Sequence, residues 1–198
     1  MPCRIVAPAA LFAALVLCAP PGLAQTPAPD KSAPPIDAPG ALHPGDAFGE
    51  PMMLPEKTII YVKGSASWDS AFDTLMNAFK TLNQYLDKQG IKPTGPAMTI
   101  YTSTDDGGFS FNAALPVAEA PKNPSTGDIA VGKSPSGKAL KFVHRGSYDA
   151  MDSTYEAIAN YLDEKRLEAK DLFVEEYTTD PQKTDPDKMV INVYVPVN

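Results

Sequence analysis

Apolar side chains stand at Trp68, Phe72, Leu75, Phe79, Leu82 and Leu86 in the stretch "SWDSAFDTLMNAFKTLNQYLDKQG". Spacings of four and three put them on one face of an α-helix. Seventy-six positions later, "SYDAMDSTYEAIANYLDEKRL" repeats the stripe from its second member, at Tyr148, Met151, Tyr155, Ile158 and Leu162. "YLD" ends both predicted helices, Ser67 and Ser147 are candidate N-caps, and Gly90 is a candidate stop. Ahead of each helix an alternating, β-branched run ends in Gly, "TIIYVKG" and "ALKFVHRG". After each helix come two more such runs. "MTIYTS" matches "VEEYTT", and "FSFNAALPV" (Phe109 to Val117) matches "MVINVYVPV" (Met189 to Val197). "TDDGG" joins the first pair by its turn chemistry, and "DPQKTDPDK" does so in the second with four extra residues. Asp180, Asp185 and Asp187 in that second turn follow no EF-hand spacing.

Each copy therefore reads strand–helix–strand–strand, with repeat 1 over about 57–117 and repeat 2 over about 138–197. One such unit has a helix stripe and a sheet face but little core. Two of them, related by a pseudo-dyad, can extend one antiparallel sheet and lay both helices on one face. The predicted fold class is α+β, a tandem duplication of β-α-β-β modules with a cleft at the pseudo-dyad, on the sheet face away from the helices.

Alternation then assigns faces. Met189, Ile191, Val193 and Val195 point to the helices with Phe109, Phe111, Ala113 and Leu115, leaving Asn192, Tyr194, Asn112 and Ala114 for the groove. In the strand before, Val174 and Glu176 match core-type Met98 and Ile100, so Glu175 and Tyr177 join Thr99 and Tyr101 on the groove face. Glu176 then faces the helices, where an unpaired carboxylate is costly, so it lies near the sheet edge, pairs with a Lys or Arg, or marks a register one residue off. Where the copies differ, the second has Glu175 for Thr99 and Tyr194 for Ala114. A carboxylate among aromatic walls suits a cationic or hydrogen-bond-donating ligand. The bland alternative makes Glu175 a solvated strand residue. His144 reads as a packing residue.

Composition narrows the function. Residues 1–24 read as a signal peptide, with Arg4 as n-region, "VAPAALFAALVLCA" as h-region and "GLA" before Gln25 as cleavage site. The expected location is periplasmic or secreted, with no membrane association after cleavage; a lipid anchor through Cys18 lacks the small residue before it. Residues 25–56, dense in Pro, Ala and Gly, read as a disordered tether before a domain at 57–198. Both cysteines, Cys3 and Cys18, fall in the leader, and with only His43 and His144 beyond it no Cys/His zinc site can form. No cofactor or metal is implied. Removing Arg4 takes the formal charge from −7 to −8, which disfavours nucleic acid as a partner.

"HRGSYDAMDSTYEAIANYLDEK", "VEEYTTDP" and "INVYVPV" together resemble the GyrI-like small-molecule-binding domains, related to the effector-binding domains of AraC- and MerR-type regulators. The marks are Gly-x-Tyr at Gly146 and Tyr148, Glu-x-Tyr-x-x-Asp-Pro from Glu175 to Pro181, and Tyr-x-Pro at Tyr194 and Pro196. The resemblance implies a cleft in which Glu175 engages ligands, often apolar cations, and it adds that some members are hydrolases. The sequence departs from the regulators in its leader, and no helix-turn-helix pattern precedes the domain.

The reading is thus an exported small-molecule-binding protein. It captures an apolar, cationic ligand with Glu175, Tyr177, Tyr101, Tyr194, Asn112 and Asn192. The alternatives are a metal-independent hydrolase of electrophiles, with Glu175 as general base and Tyr177 as oxyanion partner, and an envelope docking protein. Oligomeric state is left open.

Overall fold

The computed structural model describes residues 45–121 and 127–198. The expected signal peptide and most of the expected tether lie outside the described residues. The strands are β1 (Phe48–Leu54), β2 (Thr58–Ser67), β3 (Ala97–Asp105), β4 (Gly108–Pro116), β5 (Ile129–Lys133), β6 (Gly137–Arg145), β7 (Phe173–Tyr177) and β8 (Val190–Pro196). The helices are α1 (Ala71–Gln89) and α2 (Met151–Lys165), each entered through a 3-10 turn, Trp68–Ser70 and Tyr148–Ala150. All strands join one open antiparallel sheet in the order β1-β6-β8-β7-β3-β4-β2-β5. The repeats are β2-α1-β3-β4 and β6-α2-β7-β8, and they meet where β3 pairs with β7.

Helix ends follow local chemistry. α1 stops at Gly90, whose φ of 68° suits a residue without Cβ. Ser147 accepts from the Asp149 amide, whereas Ser67 caps no backbone amide. α1 has 19 residues and α2 has 15, one turn fewer, so the helices start 80 positions apart and end 76 apart. α2 is the more lightly anchored, because Tyr155 and Leu162, its counterparts of Phe79 and Leu86, are only half-buried. It buries Met151, Thr154 and Ile158, whereas α1 buries Ala71, Leu75, Ala78, Phe79, Leu82 and Leu86.

Two strands escaped the sequence reading. β1 lies in the stretch read as tether, and β5 lies between the repeats. Each precedes one repeat and pairs with the other: β1 with β6, and β5 with β2. Only three residues separate β1 from β2, yet these strands stand at positions one and seven of the sheet. Three residues reach little over 10 Å, far short of six spacings of about 4.8 Å. The sheet must therefore curl, away from the helices, until its margins approach. The linkers meet there: the Ser134 amide donates to the Lys57 carbonyl and the Lys57 amide to Ser134 Oγ, both at 2.9 Å.

Curling gives the sheet two cores. Ile60, Phe111, Leu115, Phe142, Ile191 and Val193 pack under the helices. Ile59, Met98, Ile100, Ala114, Val174 and Tyr194 fill the inner face with Leu54 and Ala139.

β1 was hidden by its Pro and Gly, which edge strands tolerate. Its hold comes from tertiary contacts: Phe48 packs edge-on against Phe142 and Tyr161, the Tyr161 hydroxyl donates to the Gly49 carbonyl, and Asp46 takes a bidentate pair from Arg145. A chain beginning at residue 57 should therefore be less stable than one beginning at residue 45 by about 2 kcal/mol or more, as burying one aromatic side chain suggests. Equal midpoints in urea would contradict this.

Candidate functional site

The register of β7 decides the site. Glu175 stands opposite Thr99 on β3 and Val193 on β8, while Glu176 stands opposite Met98 and Asn192. Val193 belongs to the core under the helices, and Met98 to the inner one. Glu175, Tyr177 and Tyr101 therefore lie beneath the helices, and Glu176, Asn192 and Tyr194 lie on the inner face. The predicted set splits across the sheet, with Asn112, which stands opposite Ile100, on the inner side. The faces read for β4 and β8 hold, while those read for β3 and β7 are reversed. The cause is the second core: with both faces buried, apolar positions no longer mark the side the helices cover.

Glu175 is 0% exposed. The Tyr155 hydroxyl donates to Oε1 and the Tyr177 hydroxyl to Oε2, each at 2.8 Å. Tyr177 also meets Thr99 Oγ1 at 3.3 Å, and the Tyr101 and Tyr148 hydroxyls meet at 2.8 Å. Among the described residues, Glu175 forms no ion pair with a Lys or Arg. Burial raises its carboxyl above the usual range, against the lowering effect of hydrogen bonds from Tyr155, Tyr177 and Tyr101. Burial, and then the Glu175 charge, push the Tyr101, Tyr155 and Tyr177 hydroxyls well above the phenol range, so they stay protonated as donors.

Above Glu175 a cleft of about 430 Å³ opens between the starts of the helices, walled by Trp68, Phe72, Tyr148 and Tyr155 over Tyr101. Phe72 and Tyr148, matched by the 76-residue shift, pack against each other with ring centroids 5.3 Å apart. Asp69, Asp73, Asp149 and Asp152 also line the cleft, which has no basic side chain in its lining. Glu175 sits below this floor, so Tyr101, Tyr148 and Tyr155 form a roof over it. The sequence reading missed Tyr148 and Tyr155 as site residues. The signal was available: at the Phe79 position of the helix stripe, the second copy gains a hydroxyl.

Glu176 has the partner its burial demanded. Lys57 Nζ lies 2.6 Å from Oε1, and the Tyr194 hydroxyl donates to Oε2 at 2.8 Å. Tyr194 and Asn192 thus serve Glu176. Burial alone would raise this carboxyl, but hydrogen bonds from Lys57 and Tyr194 together with the Lys57 charge bring it below the usual range.

The two carboxylates should affect stability with opposite sign. Glu175, raised in the folded state, favours folding at acid pH, and that contribution is lost as pH rises through its folded pKa. Glu176, lowered, favours folding above the unfolded carboxyl range, and that contribution is lost as pH falls through its folded pKa. Near pH 7, Glu175→Gln should stabilise the unliganded protein by about 1–2 kcal/mol and Glu176→Gln should destabilise it by a similar amount. Both differences should shrink toward pH 4. Denaturation series at the two pH values check this, and equal losses in both variants would contradict it.

A family model for the GyrI-like small molecule binding domain matches residues 52–198. No curated protein sequence matches the chain. EcmrR, in its complex with DNA, shares the fold with a TM-score of 0.64 at 17% identity, over 75% of this chain and 56% of that one. The chain thus spans little more than half of EcmrR, but 95% of its separate C-terminal domain. A hydrolase encoded by lin2189 from Listeria innocua aligns at 0.54 and 14% identity, over 77% of this chain and 93% of that one. SAV2435, solved bound to tetraphenylphosphonium, aligns at 0.52 and 16% identity, over 75% and 93%. With its duplicated fold and a matching model over most of its length, this chain belongs to the GyrI-like small-molecule-binding family.

Proposed function

We propose that the protein acts outside the cytoplasm, capturing an apolar organic cation against Glu175. One observation carries the reading: of two adjacent buried carboxylates, Glu176 has its counter-charge built in and, among the described residues, Glu175 has phenols and no cation. A buried anion without a cation is costly. A ligand bringing positive charge on an apolar body would supply the missing partner, and the rings of Tyr101, Tyr148 and Tyr155 would add cation–π attraction of about 0.5–2 kcal/mol. The acidic cleft would draw cations toward it. SAV2435, which has the same fold, was solved with a ligand of this kind. The leader-like residues 1–24 support export.

Glu175 is shut off beneath its roof, so binding requires Tyr148 and Tyr155 to turn aside. Capture is favoured over general-base hydrolysis because a cation supplies the counter-charge that the tyrosine hydrogen bonds to Glu175 do not.

Calorimetric titration with tetraphenylphosphonium tests the proposal. Saturable binding is expected, weakened at least tenfold in Glu175→Gln, or about 1.4 kcal/mol. Binding should also weaken as pH falls through the raised Glu175 range, because the protonated acid offers no charge. Undiminished binding by the Gln variant would remove Glu175 from the account.

A further inference from the structure

His144 is wholly buried on β6, facing the helices beside Ile191. One ring nitrogen, Nε2, lies 3.0 Å from the Ser147 carbonyl, and Nδ1 lies 2.7 Å from Thr154 Oγ1. A carbonyl only accepts, so Nε2 carries the proton and Nδ1 accepts from the Thr154 hydroxyl. Burial lowers the His144 pKa, which keeps this neutral arrangement in place. Ser147 directly precedes Tyr148, and Thr154 directly precedes Tyr155. One side chain thus grips the sequence neighbours of two of the three roof tyrosines, Tyr148 and Tyr155.

The first repeat lacks this grip. Strand pairing matches His144, opposite Ile191, with Gly64, opposite Phe111, and the Phe111 ring fills the space over Gly64 so closely that a Cβ there would meet it at 2.6 Å. The half that gained Glu175 therefore also has the polar tie, and it has that tie on the less anchored helix. Thr154 is one of only three buried residues of α2.

We propose that the Ser147–His144–Thr154 chain is a catch that holds the tyrosine roof shut over Glu175, making His144 a positioning residue that limits ligand access. This rests on the cation-capture reading for its biological sense, but the catch itself can be tested without ligand. If the closed state must open before binding, weakening the catch raises the fraction that is competent and tightens apparent affinity. A gain is therefore expected where simple structural damage would give a loss.

His144→Leu is the first variant. Thr154→Val, which keeps shape and removes the hydroxyl, carries the same test if the first fails to fold, and Thr154→Ser should behave as wild type. Losing these hydrogen bonds should tighten tetraphenylphosphonium binding about tenfold through a faster association rate. Hydrogen exchange without ligand should quicken about tenfold at the Tyr155 to Ala159 amides and stay unchanged in α1. A folded variant with equal or weaker affinity, or exchange that quickens alike in both helices, overturns the catch. If wild type binds no cation at all, the capture reading fails while the exchange result still judges the catch.

Discussion

The site depends on a single alternation. Glu175 and Glu176 are neighbours on one strand, so their side chains leave opposite faces of a sheet that is buried on both. Each carboxylate must be stabilised where it lands. The inner face does so with Lys57, held where the two linkers meet. Among the described residues, the helix face offers Glu175 hydroxyl groups and no cation. A buried carboxylate without a counter-charge is costly to a fold.

Duplication explains why the imbalance sits at the centre. Two sibling modules meet at β3 and β7, and residues on the pseudo-dyad face their own counterparts, as Thr99 faces Glu175. A substitution there changes one side of a shared seam. Glu175 stands there where the other copy has Thr99, and away from the seam Tyr155 and His144 stand where it has Phe79 and Gly64. The scaffold stays symmetrical while the chemistry does not. The exchanged β1 and β5 close the arrangement, because neither repeat completes its own sheet margin.

Much of this was legible in the residues. The helix stripes, the paired strands and the 76-residue echo specify the two modules, because periodicity reports burial on one side of an element. Glu175 stands out in the sequence as a difference between copies. Its face was not legible. Met98, Ile100 and Val174 are apolar because the curled sheet encloses a second core, and alternation cannot tell one buried face from another. β1 was hidden for another reason: "FGEPMML" is poor in β-formers, and its pairing comes from Phe48, Tyr161 and the Asp46–Arg145 pair. Contacts between residues a hundred positions apart leave no local signature.

The central claim is that Glu175 is an acid made reluctant by burial and relieved by an incoming positive charge. Its side-chain carboxyl carbon can be followed by NMR across a pH series, with and without tetraphenylphosphonium. The account predicts a midpoint above the ordinary carboxylate range in the free protein and a clear fall once the cation is bound. A midpoint at the ordinary value that the cation leaves in place would contradict it.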